Sequence, residues 1–236
     1  MSTYRILVAL ATYNEIDNLP GLVDAIHSEL PDADLLVVDD NSPDGTGRWC
    51  DDHAATYSWM TCLHRPGKQG LGSATMVAIH WALAHEYDVV VTMDADWSHD
   101  PQYLPALVEA TERADVAIGS RYCAGGSIEG WPVYRRVISR VMNGLSRLML
   151  RLPVRDSSGA FRAYRAAALR AAALEDVQSA GYSYLEEILW QLRRAFATFE
   201  EVPITFRERR AGKSKVSVGE AVAKLRVLWT LSRRKT

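Results

Sequence analysis

The 236-residue chain carries 27 basic and 29 acidic residues, a formal charge of -2, and is 48% apolar. A core of domain size is therefore available, and attraction of the whole chain to nucleic acid is excluded, so any anionic partner has to be met by a local patch. Cys50, Cys62 and Cys123 have neither a metal-ligand spacing nor the density of a disulfide framework, which suits a reducing cytosol. The start MSTYRILVAL has no basic region followed by an apolar stretch and cleavage site, and no uncharged apolar run reaches the ~18 residues of a membrane span. The chain is expected to be soluble or peripheral.

Through the first half, apolar runs of strand length alternate with longer amphipathic stretches. In order they are YRILVAL, NLPGLVDAIHSEL, DLLVVDD, GTGRWCDDHAATY, WMTCLH, LGSATMVAIHWALAHE and DVVVTMD. Such alternation marks successive βαβ units and a largely parallel sheet. PQYLPALVEATERA reads as a further helix leading to DVAIGSR, so four or five strands are laid down by residue 121. The second half is less regular. It holds a glycine-rich CAGGSIEGWP, a basic helix from about Pro132, the segment DSSGAFRAYR, two helical stretches, one further strand in FEEVPITFRE, and a C-terminal helix. No repeat, low-complexity tract or linker interrupts it, so residues 1–236 read as one α/β domain.

The run VVVTMDADWSHDP, residues 89–101, closes a β-branched strand with Asp94 and Asp96. In an open α/β sheet that end faces the ligand crevice, where Asp-x-Asp offers hard oxygens to a divalent cation; the alternative is a turn and helix cap before Pro101. ATYNE after the first strand adds Tyr13 and Glu15, and DDNSPDGT after the second adds Asp39, Asp40 and Asp44. Parallel strands put these ends on one edge, so Tyr13, Glu15, Asp39, Asp40, Asp94 and Asp96 are expected to converge. Carboxylates gathered in this way repel one another unless a cation and hydrogen-bond donors are present. RPGKQGLGSA contains Gly70 and Gly72 but lacks the full G-x-G-x-x-G spacing of a dinucleotide site, and its Lys68 either reaches a nucleotide phosphate or is a solvated loop lysine.

ATYNE, VVDDNSPDGT, KQGLGSA, MDADWSH, GSRY, GGSIEGWPVYRRVISR, DSSGAFRAYR and RRAGKSKVS follow one another in an order that resembles glycosyltransferase family 2, specifically the polyprenol-phosphate (dolichol-phosphate) mannose synthases. The resemblance runs from about residue 4 to about residue 220, and EGW with the spaced Arg and Ser, together with DSSGAFRAYR, are its more specific parts. It implies a GT-A fold with a Rossmann-like, largely parallel central sheet flanked by helices, and a Mg2+ or Mn2+ ion on Asp94 and Asp96. By position, Ala11, Tyr13, Glu15 and Asp39 meet the guanosine of GDP-mannose, with Val38, Asp40, Lys68 and Ala95 beside them and Ser98 near the metal and diphosphate. Arg121, Arg135 and Ser139 match the residues for the acceptor phosphate, and Arg207 and Lys213 join them; guanidinium forks suit phosphate oxygens. Asp156, Arg162 and Lys215 extend that set, and Glu187 is expected to orient a basic residue or the sugar. The chain departs from the family pattern at Ala11, usually Pro, at Ala160, commonly Gly, and at Ser98, where some relatives have Gln.

The implied reaction is metal-dependent, inverting transfer of mannose from GDP-mannose to a polyprenyl (dolichyl-type) phosphate, with Asp96, Arg121, Arg135 and Ser139 at its centre. The rivals are a family 2 transferase using a UDP-sugar, such as a polyprenyl-phosphate glucosyltransferase, and a non-catalytic membrane adaptor. Amphipathic helices are expected near 132–152 and 217–234. In the first, Val137, Val141, Leu145, Leu148 and Leu152 share one face and Arg136, Arg140, Arg147 and Arg151 another, with Trp131 at one end. Either it lies at a bilayer interface or its apolar face packs on the core. In the second, Val222, Leu225, Leu228 and Trp229 are apolar and the end is basic. Attachment at the cytoplasmic face of a membrane is expected to be peripheral or through a small membrane partner subunit.

Overall fold

The computed structural model describes residues 4–177, 179, 181, 183–208 and 218–234, with the side chains of 218–223 left aside. Strands β1 (Ile6–Thr12), β2 (Asp34–Asp39), β3 (Met60–His64), β4 (Val89–Asp94) and β5 (Val116–Ser120) alternate with helices α1 (Leu19–Glu29), α2 (Thr46–Ala54), α3 (Leu71–Ala84) and α4 (Leu104–Ala110). The chain continues through β6 (Ser127–Ile128), α5 (Val133–Leu150), β7 (Arg162–Arg165), α6 (Ala166–Ala171), α7 (Tyr184–Arg194), β8 (Phe199–Pro203), β9 (Thr205–Phe206) and α8 (Val218–Arg233). Seven strands form one sheet in the order β3-β2-β1-β4-β7-β5-β8. All neighbours run parallel except β7, which is antiparallel to both β4 and β5.

Both faces of the sheet are covered, as unbroken apolar strands require. Along β1, Leu7 and Ala9 point into a core shared with α3, α7 and α8, whereas Val8 and Leu10 point into one shared with α1 and α4. The two-residue strand period thus divides one run between two cores. Close packing sets one glycine: a Cβ on Gly72 would lie 2.9 Å from the Tyr184 ring, so only glycine lets the first turn of α3 meet that tyrosine.

The second half departs from its sequence reading in three places. DSSGAFRAYR supplies a central strand, β7, that short polar lettering conceals; Arg162 is fully buried there. FEEVPITFRE is two strands: Ile204 breaks it, leaving β8 in the main sheet and β9 paired with β6. Helix α5 is amphipathic with its polar side inward. It buries Asn143 and Ser146, while Val133, Tyr134, Val137, Ile138, Val141 and Leu148 are exposed. The core-packed alternative therefore fails for most of this face. The helix ends at Leu150, Arg151 takes a left-handed φ of 52°, and Leu152 is buried, so those two residues belong to neither helical face. Trp131 is buried as well, and Tyr134 is the aromatic residue facing outward. In α8, Leu228 and Leu231 are buried and Leu225 and Trp229 exposed. Lys224 on the same helix pairs with the buried Glu186. Among the described residues, no helix is long and apolar enough to cross a membrane.

Candidate active site

Strand register builds the site. Ala11 on β1 lies between Val38 of β2 and Asp94 of β4, and one step further on Thr12 stands beside Asp39. Of the residues expected to converge at the carboxyl edge, strand register brings Asp39 and Asp94 to it, with Ala11 and Val38 beside them. Past β4 the chain turns through Ala95 and Asp96, both buried, and Trp97 at a left-handed φ of 64°. The Trp97 indole donates to the Asn18 carbonyl at 3.2 Å, and the Ser98 amide donates to Asp96 Oδ1 at 3.0 Å. Asp94 keeps 29% of its side chain exposed. The Ser98 hydroxyl is buried without a hydrogen-bond partner among the described residues. Together these groups make an all-oxygen donor set around one turn, and such a set fits Mg2+ or Mn2+.

Behind this turn stands His99, to which sequence reasoning assigned no role. It is 2% exposed, stacks on Phe161 at 5.1 Å and meets the edge of Phe206 at 5.6 Å. Its Nδ1 accepts the Asp94 amide proton at 3.1 Å, so the ring proton sits on Nε2. Burial pushes its pKa down to about 4; the nearby Arg121 guanidinium adds to this, and the Asp96 and Asp156 carboxylates oppose it. At neutral pH the imidazole is uncharged and does not compete with a cation held by the aspartates. The available signal was its position three residues after Asp96, within the same turn.

At the end of β2, Asp39 is 1% exposed and accepts from Thr12 Oγ1 at 3.0 Å and from the Ser42 amide at 3.0 Å. Asp40 is also inside the protein, paired with the buried Arg65 and accepting the Gln69 amide at 3.1 Å. Arg65 donates in turn to Ser73 Oγ at 2.7 Å and the Gly70 carbonyl at 3.2 Å. Asp40 thus sets the loop that carries Lys68, whose ammonium lies 3.9 Å from the centre of the Tyr13 ring. That cation–π contact places Lys68 at the site edge with Tyr13. Glu15 accepts from Asn18 Nδ2 at 2.8 Å, at the start of α1.

The expected acceptor residues surround a buried ion pair. Arg121, next after β5, donates through Nε and Nη2 to the two oxygens of Asp156, each at 2.7 Å, and Nη2 also reaches Ser158 Oγ at 2.8 Å. Burial opposes charge on Asp156, yet Arg121 holds its carboxyl below the usual range. Arg135 lies 3.8 Å over the Trp131 ring and donates to Glu208 at 3.0 Å. Ser139 Oγ accepts from the Tyr122 hydroxyl at 2.7 Å. Arg207 pairs with Asp100 at 2.9 Å and Glu129 at 3.3 Å. Its backbone amide donates to the Ser98 carbonyl at 3.2 Å, so this segment crosses the Asp-x-Asp turn. One expectation changes. Arg162 is buried and donates to the carbonyls of Leu185 and Ser157 at 2.8 and 2.7 Å, which makes it a brace inside the protein, not an anion ligand. Glu187 accepts the Ser179 amide at 3.0 Å and orders that loop. Lys213 and Lys215 lie outside the described residues.

Comparison with known proteins agrees with this architecture. Residues 7–172 match the model of the family described as glycosyl transferase family 2. An undecaprenyl-phosphate mannosyltransferase of Micrococcus luteus is 44% identical over 233 residues, covering 98% of this chain and 96% of that protein. A polyprenol monophosphomannose synthase of Mycolicibacterium smegmatis is 43% identical over 217 residues, covering 91% and 82%. Among solved structures, glucosyl-3-phosphoglycerate synthase from Mycobacterium tuberculosis, in complex with Mn2+, uridine diphosphate and phosphoglyceric acid, aligns at a TM-score of 0.70. It covers 99% of this chain and 80% of that one at 19% identity, a likeness of fold. The mostly parallel sheet with its Asp-x-Asp edge is a GT-A fold, and this chain belongs to glycosyl transferase family 2.

Proposed function

We propose that this protein transfers mannose from GDP-mannose to a polyprenyl phosphate with inversion, giving polyprenyl β-mannosyl phosphate. The observation that carries this reading is the 44% identity to an undecaprenyl-phosphate mannosyltransferase over 98% of the chain, with Asp96 and the Arg121–Asp156 pair both close to His99. Ala11, Tyr13, Glu15, Val38 and Asp39 receive the guanosine, while Lys68 reaches the phosphates. Asp94 and Asp96, with Ser98 beside them, hold Mg2+ or Mn2+, which stabilises charge on the departing GDP when bound. Arg135, Ser139 and Arg207 align the acceptor phosphate, with Lys213 in the same set. Arg121 adds a positive charge that Asp156 fixes in place. The acceptor needs no strong base, because a phosphate monoester, with a second pKa of about 6, is already largely dianionic. This suits a site whose nearest imidazole, His99, already spends Nδ1 on a backbone amide.

The outward apolar side of α5 supports contact with the membrane that holds the acceptor's lipid tail. Val133, Tyr134, Val137, Ile138 and Val141 lie near Arg136 and Arg140, a combination suited to anionic headgroups. Three free thiols, Cys50, Cys62 and Cys123, suit action at the cytoplasmic face. The first test is purified protein with labelled GDP-mannose, manganese or magnesium, and a short polyprenyl phosphate in detergent, beside Asp96→Ala. Lipid-linked β-mannose that requires the metal and disappears in the variant is the expected result. An α-linked product would overturn inversion, and transfer from UDP-glucose alone would overturn the donor. Silence with every donor, restored by a small membrane subunit, would make that subunit part of the enzyme; unrestored silence would favour a non-catalytic adaptor.

A further inference from the structure

On edge strand β3, Cys62 and His64 are two residues apart and therefore share a face, beside Val37 and Asp39 of the neighbouring strand. Helix α2 packs against this strand and adds Asp51. Asp51 Oδ1 lies 2.8 Å from His64 Nε2, Cys62 Sγ lies 3.6 Å from the same nitrogen, and all three ligand atoms are within 4.8 Å of one another. No sequence spacing announces the set, because it comes from two elements. His64 and Asp51 expose 46% and 59% of their side chains, so an ion from solvent has access.

The donor chemistry differs from that of the Asp-x-Asp turn. Thiolate and imidazole favour cations of borderline softness over magnesium. In tetrahedral zinc sites the ligand atoms stand roughly 3.3–3.7 Å apart, as metal–ligand bonds of about 2.0–2.3 Å require. The Cys62–His64 spacing already lies in this range, and the Asp51–His64 hydrogen bond needs to open by only about half an ångström when a cation takes the place of the shared proton. The other side of the ring is prepared too. His64 Nδ1 faces the buried Asp39 Oδ2 at 4.0 Å, and a Cβ on Gly47 would lie 2.9 Å from that oxygen and 3.0 Å from the imidazole. A ring bound to metal through Nε2 carries its proton on Nδ1, directed toward a carboxylate, the arrangement that commonly orients zinc-binding histidines.

We propose that Asp51, Cys62 and His64 form a three-ligand site for a divalent cation of the zinc and cobalt class. The site is separate from the Asp-x-Asp ion and does not rest on the transferase reading. Its test is titration of reduced, metal-free protein with Co2+ alone, followed by absorption spectroscopy. One equivalent should give a thiolate-to-cobalt charge-transfer band with visible ligand-field bands, abolished by zinc and resistant to excess magnesium. Cys62→Ser should remove the charge-transfer band, and His64→Ala should weaken cobalt binding tenfold or more. Cys123→Ser and Asp96→Ala should leave the spectrum intact, and circular dichroism should show each variant folded. Absence of a thiolate band in folded wild-type protein, its persistence in Cys62→Ser, or its loss in Asp96→Ala would each overturn the proposal.

Discussion

His99 joins the two halves of the site, and its protonation is the most direct residue-scale prediction. Its folded pKa of about 4 lies below the ordinary 6.5, so between these values the unfolded chain binds a proton that the folded chain refuses. Stability from this residue is complete above pH 6.5 and falls as pH drops toward 4, by up to about 3 kcal/mol. Urea unfolding across that window should show this slope, and His99→Gln should flatten it. His64, whose pKa is raised first by its Asp51 hydrogen bond, acts in the opposite sense at higher pH and is common to both proteins. The Arg121–Asp156 pair makes a second prediction. Asp156→Ala leaves a buried guanidinium without its partner and should cost about 3–5 kcal/mol in the same unfolding measurement. Neither His99 nor the pairing of Asp156 was legible in the lettering, because both depend on what packs around them.

Helix α5 shows that locating an element does not orient it. The 3.6-residue pattern located the helix and separated its apolar and basic sides, but periodicity does not say which side meets the protein. Asn143 decides part of it: Nδ2 donates to the Ser139 carbonyl at 2.9 Å and Ser158 Oγ at 3.0 Å, and Oδ1 accepts the Ser157 amide at 2.8 Å. Asn143→Leu strands these partners and should destabilise the protein by about 1–3 kcal/mol. On the outer side, Val137 and Ile138 expose 54% and 52% of their surface. Inserting each into a bilayer interface is worth roughly 1–2 kcal/mol, so Val137→Ser with Ile138→Ser should lower partitioning onto anionic lipid vesicles at least tenfold. Sedimentation with vesicles checks this, and an unchanged melting temperature would show that the fold is intact.

For the whole molecule, the sheet order brings residues separated by more than eighty positions to one edge, Ala11 and Asp94 among them. The donor site should therefore report on global stability. Under the proposed function, GDP-mannose with Mn2+ at about a hundredfold excess over its dissociation constant should add about 2.7 kcal/mol to unfolding. That should raise the melting temperature by several degrees, with a smaller rise for UDP-glucose and little for Asp96→Ala. Equal shifts with both nucleotides would argue against selection for guanosine at Asp39.

The class of sheet and the place of the Asp-x-Asp turn were legible in one dimension. Hydrophobic alternation, Gly and Pro punctuation, and carboxylates after apolar strands are local signals that survive without coordinates. The sequence also put Asp39 and Asp94 at the ends of adjoining parallel strands, because parallel topology constrains where strand ends lie. The remaining contacts were settled by packing. Whether Asp40 meets a ligand or Arg65, whether Arg162 faces an anion or a carbonyl, and how Asp51 comes beside Cys62 and His64 all depend on contacts across elements. Such contacts follow from three-dimensional packing and desolvation, which one-dimensional periodicity does not encode.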